Sequence, residues 1–120
     1  MKVRCLRLVD HEGVALERSE WLTVGKIYHV LEIFADVRCR WLVRLLADGS
    51  NGVALFPLRD FALVSNKIPA SWQIGWDSEI LVLGPEAWNQ IGFWEEYYDR
   101  NPNATRLFEE EFKKIVSADP

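Results

Sequence analysis

Carboxylates clustered near the end of the chain are the residues whose types and spacing could do chemistry. They form two groups within segments of helical spacing, the first on one face of a predicted helix and the second clustered on the next helix. Paired carboxylates can act as the acid and the base of a hydrolysis, but no cleft-forming sequence accompanies these. They are interpreted either as a solvated helix face or as an acidic surface that meets a basic partner. The groups are Glu95, Glu96 and Asp99, followed by Glu109, Glu110 and Glu111.

Aromatic residues accompany the first acidic group. Trp94, Tyr97 and Tyr98 fit a helix core as well as a contact surface, because tryptophan and tyrosine are enriched where proteins bind each other. If the acids are only a solvated helix face, lysines four residues further along the helix neutralise part of their negative charge. The ion pairs predicted on that interpretation are Glu109–Lys113 and Glu110–Lys114.

Other tryptophans are assigned to packing. Trp41 and Trp88 are predicted to fill the core, because a small β module with docked helices needs large apolar side chains. Trp72 and Trp76 are expected to clamp the C-terminal part of the chain onto that module.

Signatures of catalysis and of metal binding are missing from the sequence. His29 and Cys39 could form a nucleophilic pair across adjacent strands, but a buried thiol and a surface imidazole are the simpler interpretation. Without a secretion signal, a disulfide between Cys5 and Cys39 is not expected. No spacing of cysteines and histidines matches a metal site. The sequence therefore predicts no enzyme, no cofactor and no metal.

Charge is distributed unevenly along the 120 residues. Residues 1–84 carry ten basic and ten acidic side chains, whereas residues 85–120 carry four basic and eight acidic ones, which accounts for the net charge of −4. An isoelectric point near 5.2 argues against nucleic acid as a partner. A nucleic-acid-associated module is nevertheless the alternative function. The basic strip that would bind the nucleic acid consists of Arg38, Arg40, Arg44 and Arg59.

Composition and the start of the chain suggest a cytoplasmic protein. Hydrophobic residues make up 49% and charged residues 27% of the chain, as in ordinary globular domains. No stretch approaches the ~20 apolar residues of a membrane span, and the first ten residues lack the apolar centre of a secretion signal. One domain spanning residues 1–120 is expected.

Short apolar runs separated by turn residues predict five strands in the first half of the chain. In the third, alternation places Cys39, Trp41, Val43 and Leu45 on one face, with Arg40 and Arg44 on the other. A bridge follows over residues 66–84 and ends in a possible sixth strand at 79–83. The five strands are predicted at 2–9, 26–34, 38–47, 53–56 and 61–65.

Three segments carry a resemblance to a known fold. The run Leu22–Leu31 contains the pattern T-x-G-K-x-Y-x-V, the turn Asp48-Gly49 follows it, and Phe61–Val64 has the form F-x-x-V. Together they resemble the SH3-like barrels of small bacterial and phage proteins. The resemblance covers residues 2–65 and implies a small five-stranded barrel, but it does not imply a particular activity.

Residues 85–117 predict two amphipathic helices packed on the barrel, at about 85–99 and 102–117, with Asn101 as the cap of the second. The fold class is therefore α+β. The segments Gly84–Trp88, Gly92–Glu95 and Phe108–Phe112 are similar in style to small acidic immunity proteins, which neutralise a bacterial toxin by covering it. That resemblance implies a non-catalytic protein whose acidic and aromatic residues face a basic toxin.

Overall fold

The computed structural model describes residues 1–38, 40–76 and 78–120. Within these residues the chain forms eight β-strands and two α-helices, with short 3-10 helices at Leu58–Asp60 and Glu86–Asn89. The strands are β1 (Lys2–Cys5), β2 (Ile27–His29), β3 (Glu32–Asp36), β4 (Trp41–Leu46), β5 (Val53–Pro57), β6 (Phe61–Ser65), β7 (Trp72–Trp76) and β8 (Ile80–Pro85), and the helices are α1 (Phe93–Tyr98) and α2 (Pro102–Ala118).

The strands divide between a small and a large antiparallel sheet. The small sheet has the order β2-β1-β6, and the large sheet has the order β5-β4-β3-β8-β7. The chain crosses from one sheet to the other at Val30 and Leu31. The Val30 N–H donates to the Met1 carbonyl in the small sheet, and the Leu31 N–H donates to the Arg44 carbonyl in the large sheet.

Two apolar cores separate three layers. The inner faces of the two sheets enclose the first core, which includes Val3, Tyr28 and Val43. The outer face of the large sheet and the helices enclose the second, where Trp88 is 1% exposed. The prediction that Trp88 fills a core is confirmed. No helix among the described residues is long and apolar enough to cross a membrane.

The residues of the T-x-G-K-x-Y pattern meet in one hydrogen-bonded network around Asp48. Its carboxylate accepts from Thr23 Oγ1 at 2.7 Å, from Lys26 Nζ at 2.5 Å and from the Tyr28 hydroxyl at 3.1 Å. Burial alone would raise the pKa of Asp48, but these hydrogen bonds hold it below its ordinary value. The network ties the loop before β2 to the turn between β4 and β5, so the pattern has a structural role.

The strand predictions are confirmed in part. The predicted strand 26–34 is divided at the crossing into β2 and β3, and the possible strand at 79–83 is β8. The bridge also contributes β7, which was not predicted. Strands β1–β6 are shared between two sheets, and β7 and β8 extend the large one, so a single closed five-stranded barrel remains a prediction.

Tryptophan placement corrects two expectations. Trp72, which was expected to act as a clamp, is buried in the first core, whereas Trp76 is 72% exposed and does not act as one. Trp41 shares its face with Val43, yet it is 53% exposed and does not fill the core as predicted. Cys39 lies outside the described residues.

The first predicted helix is shorter than expected. Residues 86–89 form a 3-10 helix, and α1 begins only at Phe93 after Gly92, whose φ of +79° favours glycine. The second helix agrees with the prediction. The Asn101 side chain accepts from the N–H groups of Asn103 and Ala104 and so caps α2 as expected.

Candidate functional site

The predicted acidic residues lie mostly on the outer side of the helical layer. Glu109 of α2 lies close enough to Tyr97 of α1 to affect its ionisation, so the two helices meet near these residues. Burial first, and then the charges of Tyr98 and Glu109, raise the pKa of Tyr97. The exposed acids are Glu95, Glu96, Asp99, Glu109 and Glu110, while Glu111 is half-buried.

The ion pairs on α2 differ from the predicted ones. Arg106 Nη1 lies 2.8 Å from Glu110 Oε1, and Lys114 Nζ lies 3.1 Å from Glu111 Oε1. Glu109 therefore keeps an exposed carboxylate that no ion pair neutralises among the described residues. It is grouped with Glu95 and Glu96 of α1 and with Asp99, the C-cap of α1, and these four exposed acids are called the acidic face.

The aromatic residues beneath the acidic face have divided roles. Trp94 is partly buried and packs edge-on against Trp88, with ring centres 5.5 Å apart. Tyr97 packs on Phe108 at 4.6 Å. The Tyr98 ring is half exposed, and its hydroxyl donates to the Val53 carbonyl at 2.6 Å. Trp94 and Tyr97 thus support the acidic face from below, and Tyr98 contributes to its surface.

Sequence reasoning missed a buried ion pair under α1. Glu32 and Arg44 are cross-strand neighbours on the outer face of the large sheet, and Arg44 Nε donates to Glu32 Oε1 at 2.8 Å. The Arg44 guanidinium lies 3.8 Å from the centre of the Trp94 ring, a cation–π contact. It also donates to the Tyr98 hydroxyl at 3.4 Å. The pair therefore attaches α1 to the sheet.

The environment of Glu32 makes ionisation costly. Burial raises the pKa of Glu32 to about 7, against the opposing effect of Arg44. Its second oxygen, Oε2, has no well-formed hydrogen bond within the described part of the chain. Such a carboxyl could exchange a proton near neutral pH, but Glu32 lines none of three clefts, those beside Leu8, Trp41 and Gly75. We therefore assign the pair a structural role.

The proposed nucleophilic pair gains no support from the placement of His29. Its Nε2 lies 2.6 Å from the carbonyl oxygen of Asp119, at the end of α2. The other member, Cys39, lies outside the described residues. Cys5 is a buried free thiol, and burial raises its pKa, which disfavours the reactive thiolate.

The predicted basic strip is not a continuous free surface. Arg44 was expected to point outward, but it is 5% exposed because α1 covers its face of the sheet. Arg40 is paired with Asp36 at 2.7 Å. Arg38 and Arg59 remain exposed. The arrangement therefore provides few free cations for phosphate groups.

An open cleft of about 550 Å³ lies between β5 and the loop that follows β1. Its lining mixes apolar side chains with five ionisable ones, Arg7, Asp10, His11, Arg59 and Asp60, of which Arg7 and Asp60 lie 3.8 Å apart. No group of three or more metal-ligating side chains comes together in residues 1–38, 40–76 and 78–120. The cleft thus has no constellation that indicates a reaction.

No protein-family model, curated protein or solved structure matches the chain. The assignment of function therefore depends on the geometry described above.

Proposed function

We propose that this chain is a non-catalytic protein-binding protein of the immunity type, which neutralises a cognate bacterial toxin by covering a basic surface on it. The acidic face (Glu95, Glu96, Asp99 and Glu109) is the contact surface, with Tyr98 beside it. The observation that supports this most is that four acids of the helical layer are exposed and form no ion pair among the described residues, while Glu109 of α2 lies near Tyr97 of α1.

Rigidity of the supporting layer favours binding. Trp88 stacks on Phe108 at 5.1 Å, and Trp94 is held between Trp88 and Arg44. A surface that is already ordered loses little conformational entropy when a partner binds. The short helix α1 can therefore present its carboxylates in a fixed arrangement although it has fewer than two turns.

For the β part of the chain we propose the SH3-like barrel architecture, with β1–β6 as its strands. The Asp48 network and the bend at Val30–Leu31 support this, because a strand that bends from one sheet into the next is how small barrels turn corners. In this proposal the barrel is a scaffold, and β7, β8 and the helices are the additions that carry the function.

Calorimetry with the protein encoded beside this chain's gene tests the proposed function. The triple variant Glu95→Gln, Glu96→Gln, Glu109→Gln removes three charges from the acidic face. The matched control replaces three exposed glutamates of the loop after β1, Glu12, Glu17 and Glu20, in the same way. We expect the first variant to bind about tenfold or more weakly at low salt, and the control to bind like the unmodified protein.

Two results would contradict the proposal. One is the absence of binding to that neighbouring protein at any salt concentration, and the other is equal weakening in both triple variants. A parallel gel-shift titration with duplex DNA tests the alternative, since binding that falls steeply with salt would indicate a nucleic-acid module.

A further inference from the structure

Strand β7 exposes large apolar side chains at the edge of the large sheet. Ile74 is 69% exposed, and Trp76, on the same face, is 72% exposed. A row of cross-strand neighbours, Trp41, Ala35, Leu81 and Trp76, continues this surface across the sheet. Exposed apolar surface of this kind marks an interaction site more often than chance.

The hydrogen-bond pattern of the large sheet shows which backbone groups of β7 are free. The Val37 N–H donates to the Glu79 carbonyl, so the odd-numbered residues of β3 direct their polar groups toward β8. In an antiparallel ladder, the N–H and C=O groups of successive residues point alternately to the two sides of the strand. When this alternation is followed from β3 through β8 to β7, the polar groups of Gly75 point toward β8. Those of Ile74 and Trp76 point away from the sheet.

Within its described residues, strand β7 lacks the features that keep edge strands apart. Natural proteins protect such edges with charged residues, prolines or bulges. The segment Trp72–Trp76 reads Trp-Gln-Ile-Gly-Trp, with no charge and no proline, and its register with β8 is regular. The edge is therefore suited to pairing with another strand.

The spacing of the free groups makes the edge complementary to itself. A two-fold axis at Gly75 places Ile74 of one copy opposite Trp76 of the other, and both residues direct their polar groups toward the partner strand. Each such pair exchanges two backbone hydrogen bonds. The same register places the isoleucine and tryptophan side chains beside each other across the strands, a favourable combination.

We propose that β7 pairs antiparallel with β7 of a second copy of this chain, about a two-fold axis at Gly75, and that the resulting homodimer has one continuous sheet. The interface is isologous, so it closes after two copies. It lies on an edge strand remote in sequence from the acidic face, and the proposal does not depend on the proposed function.

Sedimentation velocity from about 1 μM to about 1 mM tests the dimer. We expect the unmodified protein to reach twice the 13.9 kDa of one chain. Ile74→Lys places a charge in the interface, and Ile74→Pro removes an outward-facing N–H together with the isoleucine side chain, a change that edge positions tolerate. Both variants should remain monomeric with unchanged circular dichroism. The control Ile91→Lys, at a fully exposed position outside the sheets, should dimerise normally.

Hydrogen exchange locates the interface. The Trp76 amide should exchange about tenfold or more slowly in the unmodified dimer than in the Ile74→Lys monomer. If the unmodified protein stays monomeric over the whole concentration range, the proposal is wrong. The same result is expected if β7 pairs only with a strand from another protein. Dimers that persist in both folded Ile74 variants overturn it as well.

Discussion

Arg44 lies directly opposite Glu32 on neighbouring strands of the large sheet, and both side chains are buried beneath α1. The guanidinium is enclosed by a carboxylate on one side and by the Trp94 ring on the other. Because α1 carries Glu95 and Glu96 of the acidic face and Asp99 directly follows it, this buried pair helps to hold that part of the face in place.

Removing the cation should destabilise the protein strongly. In Arg44→Met, Glu32 loses its partner while it stays buried, and such losses cost about 3–5 kcal/mol. Denaturant unfolding at pH 8 measures this. The control Arg40→Met breaks the exposed pair with Asp36 and should change stability little, because exposed pairs contribute little. Similar losses in the two variants would contradict the structural role assigned to the buried pair.

Stability should fall as the pH rises from about 4.5 to 7. Burial raises the pKa of Glu32 to about 7 in the folded protein, above its ordinary 4.5, so the folded state holds a proton that the unfolded state has released. The free energy of unfolding therefore decreases with pH across this window, by on the order of 3 kcal/mol. The groups facing Glu32 are Arg44 from β4 and Trp94 from α1. In Glu32→Gln the slope should disappear, and an unchanged slope would refute the assignment.

Two glycines of the large sheet should respond differently to alanine. At Gly84, a Cβ would lie 2.6 Å from Cγ of Glu32, which Arg44 holds in place, so Gly84→Ala should cost about 1–3 kcal/mol. At Gly75, the Cβ would meet only the amide end of Asn89, an exposed side chain that can rotate away. Thermal unfolding should show a clearly lower Tm for Gly84→Ala than for Gly75→Ala, and the reverse order would contradict the packing described for Glu32.

Local signals predicted most of the secondary structure. The alternation of apolar residues located the strands of the first half, and Asn101 followed by Pro102 located the start of α2, because capping depends on neighbouring residues only. The division of strand 26–34 between two sheets was not predictable in this way. It depends on partners far along the chain, Met1 and Arg44.

The sites were harder to predict than the fold. Strand alternation places Arg44 on the face opposite the core and suggests a solvated cation, but a helix that follows much later in the chain covers that face. Trp41 was predicted to fill the core and Trp76 to clamp the C-terminal part of the chain, yet both are exposed, because composition does not show which part of a sheet is covered. One signal for the buried pair was available in the sequence: a glutamate and an arginine lie directly opposite each other on neighbouring predicted strands.

Stopped-flow association with the protein encoded beside this chain's gene is the most direct test of the acidic face. Electrostatic attraction acts mainly on the association rate. The unmodified protein and the Glu12, Glu17, Glu20 control should associate about tenfold faster at low than at high ionic strength, whereas the Glu95, Glu96, Glu109 variant should lose most of that dependence. Equal rates and equal salt dependence in all three proteins would contradict the account.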